Sequence, residues 1–136
     1  IMKNSQLAKL QVLQNKAMRF ILSKPFDTHI QDMLISLNWL NIKQLIFFHT
    51  MKFIYKILHG HLPEYLKNLI KYNFETHSRN LRNNNQLKLP LYRTESEQNN
   101  LFYKGLKCFN ALPENIKNNN FVRFKRMLLD YCRTYS

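Results

Sequence analysis

Residues 42–59 constrain the fold more than any other part of the chain. Leu45, Ile46, Phe47, Phe48, Met51, Phe53, Ile54, Tyr55, Ile57 and Leu58 cover most of a helix circumference there, and only His49, Lys52 and Lys56 make a narrow polar stripe. A helix that is apolar nearly all round has to be surrounded by other elements. The spacing therefore predicts a buried central helix. Asn41 stands before it as a cap and Gly60 after it as a left-handed stop. The polar stripe interrupts the run well short of the roughly 18 apolar residues that a bilayer-spanning helix needs, so no membrane partner is expected.

The neighbouring segments also read as helices. Over residues 5–22, Leu7, Leu10, Leu13, Ala17, Phe20 and Ile21 recur on one face, and Pro25 prevents continuation. Thr28 with Gln31 has the form of a capping box before Met33, Leu34 and Leu37. Pro63 starts a short helix over 64–70, with Tyr65, Leu66, Leu69 and Ile70 apolar. Thr94 with Glu97 forms another capping box, opening a helix to about Phe109, and Pro113 begins one further turn. Asn120 caps a last helix, with Phe121, Phe124, Met127, Leu128, Tyr131 and Tyr135 on its apolar face. Arg123, Arg126, Asp130 and Arg133 lie opposite, with Asp130 spaced to pair with Arg126. Residues 71–94 read as loop, apart from a strand-like alternation over 86–93 that Pro90 confines to an edge or an extended arm. The expected class is mainly α: one small helical domain over residues 1–136, built around the central helix and carrying one basic extended arm.

Charge narrows the partners. The 136 residues hold 21 Lys and Arg against 8 Asp and Glu, a formal net charge of +13. A hydrophobic share of 45% is too high for a disordered basic tail. Nucleic acid is the commonest polyanion for such a surface. Between Glu75 and Glu95 there is no acid, and Arg79, Arg82, Lys88 and Arg93 are placed to follow a phosphate backbone without reading sequence. The plainer alternative is a solvated loop. Arg123, Arg126 and Arg133 form a second candidate phosphate surface. Tyr92 and Tyr103 are the candidates for base stacking, being less committed to a core face than Phe121 and Phe124. RNA and DNA remain equal candidates.

Catalysis finds little support. The carboxylates form no cluster of the kind that two-metal chemistry needs. Gly60 and Gly105 are the only glycines, which precludes a glycine-rich phosphate loop. His59 and His61 have only Glu64 nearby, and structural zinc takes four ligands. Cys108 and Cys132 sit on apolar helix faces, where small buried thiols are common. Two cysteines do not make a disulfide framework, and a reducing intracellular setting is expected. No catalytic residue, metal, cofactor or small-molecule substrate is expected, and the chain by itself is not expected to be an enzyme.

The order of motifs adds a family resemblance. Leu10-Gln11-Val12-Leu13-Gln14-Asn15-Lys16-Ala17-Met18-Arg19-Phe20-Ile21 resembles an LQxxQNxAxRxI segment near the C-terminus of reverse transcriptases of jockey-like non-LTR (LINE-type) retrotransposons. Leu37 to Ile42, around Trp39, and Phe53 to Leu66, through Gly60 and Pro63, continue it in register. The arginine-bearing stretch from His77 to Thr94 is similar, with His77 where a small residue is usual. Phe109-Asn110-Ala111-Leu112-Pro113-Glu114-Asn115-Ile116 looks like a WNxLPxxI motif with Phe for Trp, and Phe124 to Tyr131 matches the closing motif. The resemblance covers nearly the whole chain. It implies a noncatalytic C-terminal region that helps hold template RNA or target DNA, downstream of a polymerase domain that carries out RNA-directed DNA synthesis in target-primed retrotransposition. The implied partners are an RNA or DNA backbone and that upstream polymerase domain. The implied location is the nucleus and a cytoplasmic ribonucleoprotein. The Ile1 start fits a fragment of such a polyprotein. The alternative is a scaffolding module that packs against the polymerase or endonuclease and binds no nucleic acid. A small basic ribonuclease is a distant third.

Overall fold

The computed structural model of the chain describes residues 4–76, 78–80 and 82–134. His77 and Tyr135, named above, lie outside them. Along the described residues run the helices α1 (Asn4–Leu22), α2 (Ile30–Leu37), α3 (Ile42–Leu58), α4 (Glu64–Lys67), α5 (Glu95–Gln98), α6 (Leu101–Ala111), α7 (Glu114–Lys117) and α8 (Phe121–Thr134). The fold is mainly α. The strand-like segment reduces to one antiparallel bridge, Tyr72 with Leu87, beside a single 3-10 turn at Asn73–Glu75. Among the described residues no helix is long and apolar enough to cross a membrane. The chain divides into two units, His49–Leu128 and, among described residues, 4–48 with 129–134.

In the unit of residues 4–48 and 129–134, α1 is turned differently from the expectation. Asn15 and Met18 are its buried residues, with Leu7, Gln11, Gln14 and Leu22 half-buried. Leu10, Leu13, Ala17, Phe20 and Ile21 are exposed. The reason is polar. The Gln14 amide donates to the Leu40 carbonyl at 2.8 Å, and the Ile42 N–H donates to Gln11 Oε1 at 3.0 Å. Gln11 also donates to Gln14 and Asn15. These bonds satisfy main-chain groups of the connection into α3, so the glutamine face of α1 must point inward. Met18 meets Met33 and Leu34 of α2, with Leu22 and Leu37 beside them.

Thr28 does not cap α2. Its N–H is held in a turn by the Pro25 carbonyl at 3.3 Å, and the helix begins after His29, which makes no side-chain cap bond. Both α1 and α2 end on a left-handed residue, Ser23 and Asn38. In each case the following N–H reaches back five residues: Lys24 to the Arg19 carbonyl, and Trp39 to that of Leu34. Asn41 caps α3 as expected, and Gln44 returns the bond to complete a capping box.

In the unit His49–Leu128, the later half of α3 supplies Met51, Ile54, Tyr55 and Ile57 to the core. Leu106, Phe109, Leu112, Ile116, Phe124 and Leu128 are buried with them. Gly105 lets α6 approach α3 closely: a Cβ there would lie 2.8 Å from Ile54 Cδ1 and 3.0 Å from Thr50 Cγ2. Phe53 is less enclosed than the sequence pattern implies, at 38% exposed against 3% for Ile54. Gly60 ends α3 with φ 70°, and His61 N–H reaches the Lys56 carbonyl. Beyond Lys67, α4 tightens into i to i+3 bonds at Leu69 and Ile70 rather than continuing. Thr94 and Glu97 form their capping box, but the helix breaks after Gln98 and restarts where Asn100 caps Phe102.

The basic arm is anchored at its middle. Leu87 is buried, and its N–H and carbonyl both bond the side-chain amide of Asn110, at 2.8 and 2.9 Å. Asn110 thus acts as one residue of a neighbouring strand. Ile54→Ala should cost roughly 2–5 kcal/mol, and Phe53→Ala clearly less, by chemical denaturation. Asn110→Ala should cost about 1–3 kcal/mol through two orphaned main-chain groups. It should also speed hydrogen exchange at Lys88 and Asn73, whose N–H groups bond across the loop.

Candidate nucleic-acid interface

Tyr55 fixes how α8 meets α3 in the unit His49–Leu128. It is 2% exposed, with its ring 4.1 Å from that of Phe124 and 3.8 Å from that of His59. Its hydroxyl donates to the Asn119 carbonyl, and burial pushes its phenol pKa up, so the donor keeps its proton. These contacts dock the start of α8 on the end of α3. Lys125 of α8 lies close enough to Lys52 of α3 for its charge, like that of Lys56, to bear on the Lys52 ammonium. Lys56 Nζ lies 5.3 Å from the Phe121 ring centroid, and the His61 ring lies 6.0 Å from Phe121.

The lysines repel. Partial burial holds the Lys52 pKa below its ordinary value, and the ammonium groups of Lys125 and Lys56 lower it further. Both charged groups that shift it are therefore cations. Like charges so placed oppose the charging of Lys52. Lys52 and Lys56 are visible in the sequence as an i, i+4 pair of like charge. Lys125 joins them only through the fold, and the sequence reading missed all three.

The residues expected to bind phosphate lie on separate elements. Arg79, Arg82 and Lys88 are exposed on the loop that Asn110 anchors, and Arg93 is exposed on the extended segment before α5. Lys71 and Lys88 stand opposite each other beside the bridge, where Lys88 N–H bonds the Lys71 carbonyl at 2.7 Å. Arg123 and Arg126 are exposed on α8. Arg133 is engaged differently. Its guanidinium lies 2.9 Å from Asp130 and also donates to Asn38, so Asp130 pairs with Arg133 and not with Arg126. The left-handed turn at Asn38 presents the amide that holds Arg133 in this position. Tyr92 and Tyr103 are half-buried with ring centroids 5.8 Å apart, so each already has an aromatic partner.

Among the described residues, no three His, Cys, Asp or Glu side chains gather as a metal site. His59 bonds the Tyr55 carbonyl through Nδ1 and stacks on its ring. Burial pushes the Cys132 thiol up to about 12 and raises that of Cys108, which leaves both as protonated, weakly nucleophilic thiols at neutral pH. Comparison with protein-family models, curated proteins and solved structures found no match to this chain.

A base with a lowered folded pKa costs stability when it is charged. The fold should therefore gain stability as pH rises through the lowered Lys52 pKa toward the ordinary lysine value, the reverse of a salt-bridged lysine. Lys52→Met keeps the apolar stem and removes the charge. It should raise Tm at neutral pH and low salt, with the gain shrinking as salt screens the repulsion. Thermal melts over a salt series check this, and an unchanged or lowered Tm at low salt would contradict it.

Proposed function

We propose that the chain is a noncatalytic nucleic-acid-binding domain that grips the phosphate backbone without reading sequence. Lys52, Lys56 and Lys125 form its centre. Arg79, Arg82, Lys88 and Arg93, with Arg123 and Arg126, extend the contact. The observation that carries this reading is an exposed basic surface, Arg79, Arg82, Lys88, Arg93, Arg123 and Arg126, together with a Lys52 that feels the charges of Lys125 and Lys56, which a line of phosphates would suit. Phe121 and His61 lie beside them and offer a ring edge to an unstacked base.

The order of the motifs supports reading this domain as the C-terminal region of a jockey-like non-LTR retrotransposon reverse transcriptase. RNA-directed DNA synthesis belongs to an upstream polymerase domain, the natural neighbour of this one. In that setting the domain holds template RNA or target DNA, in a cytoplasmic ribonucleoprotein and in the nucleus.

Fluorescence anisotropy with single-stranded and duplex probes over a salt series tests the reading. Each phosphate contact removed should flatten the slope of log K against log salt by about 0.7–0.9. Replacing Lys52, Lys56 and Lys125 by Gln should flatten it by roughly 2 units, more than the Arg79, Arg82, Lys88 and Arg93 quadruple Gln variant does. A scaffold without nucleic-acid affinity predicts weak binding by the parent chain, unaltered in either variant.

A further inference from the structure

The stripe of α1 that its spacing marks as core is left in solvent. Leu10, Leu13, Ala17 and Phe20 follow at intervals of three, four and three, which are the a and d positions of two heptads. Leu13 is 60% exposed and Phe20 88%, and Ile21 extends the stripe. The helix cannot roll to hide them. Its other side carries buried Asn15 and Met18, and Gln11 and Gln14 bond the main chain at Ile42 and Leu40. A continuous apolar seam is therefore fixed facing outward.

We propose that this seam docks an acidic amphipathic helix of a partner protein. The heptad spacing fits a helix laid alongside, and Ala17 between Leu13 and Phe20 leaves a hole for a partner's knob. The flank fixes the charge of that partner. Lys9 and Lys16 occupy successive g positions, and α1 contains no Asp or Glu. Residues facing a g position set partner choice by charge, and here they must be acidic.

A second copy fits poorly. Antiparallel pairing would set g-position lysines against each other, parallel pairing would set Lys16 against Ile21, and each chain carries +13. A bilayer also fits poorly, since a membrane-surface helix presents a broad apolar face under a charged one. Here Gln14 and Leu7, on the far edge of the seam, are turned toward the domain itself.

The test uses the full chain and two labelled three-heptad peptides with Leu at a and d, one with Glu and one with Lys at e and g. The Glu peptide should bind, and the Lys peptide should bind at least tenfold more weakly. Leu13→Ser with Phe20→Ser should reduce Glu-peptide affinity at least tenfold without lowering Tm, because both side chains are exposed. Lys9→Glu with Lys16→Glu should exchange the preference of the two peptides. Glu-peptide binding that survives the serine variant would be general charge attraction and would overturn the proposal. Equal binding of both peptides would also overturn it. So would a dimer of the parent chain abolished by the serine changes in sedimentation equilibrium, or stripe-dependent binding to phosphatidylserine vesicles without binding to the Glu peptide.

Discussion

The burial of Tyr55 is the constraint on which the basic unit depends. A large ring is enclosed between Phe124 and His59, and its hydroxyl has a main-chain acceptor in Asn119. Both needs are met only with α8 docked on the end of α3 in one register. The same docking leaves the Lys125 charge bearing on Lys52, together with that of Lys56. The favourable term is burial of aromatic area with a satisfied phenol, and the repulsion felt by the partly hydrated Lys52 ammonium is small beside it. The fold thus imposes an electrostatic arrangement that it would not choose on charge alone.

Each unit carries one distinctive surface. In His49–Leu128 it is like charge, on the lysines of α3 and α8. In the other unit it is apolar surface, held by α1 because its glutamines are committed to the main chain at Leu40 and Ile42. The first suits a phosphate backbone and the second a helix. They call on different residues, so a chain that binds both need not exchange one for the other. Cys108 and Cys132 add no reactivity, since burial keeps both thiols protonated.

The sequence shows most where the physics is local. The Asn41 cap, the Gly60 stop, the Thr94 capping box and the Asn120 cap each need only a few consecutive residues, and all four form. It shows less where a polar side chain serves distant main chain. Counting apolar spacing assigned the Leu10 to Ile21 face of α1 to the core, because Gln11 and Gln14 carry no mark of their bonds some thirty residues away. Asn110 is likewise silent in the sequence, yet it anchors the arm at Leu87. The Lys52, Lys56 and Lys125 group shows only its i, i+4 half in the sequence, and Thr28 had the composition of a cap but not its backbone.

The titration of the Lys52 side-chain ammonium, followed by NMR in ¹⁵N-lysine-labelled protein, tests the central claim most directly. In the free protein Lys52 should titrate below the ordinary lysine value, because burial and two neighbouring cations oppose its charge. Saturation with a short oligonucleotide should raise its pKa, as phosphates replace repulsion with attraction. Lys125→Gln in the free protein should raise it too, by removing one of the two cations. A Lys52 pKa that is the same with and without oligonucleotide, in a chain that does bind the probe, would place the nucleic acid elsewhere and contradict the account.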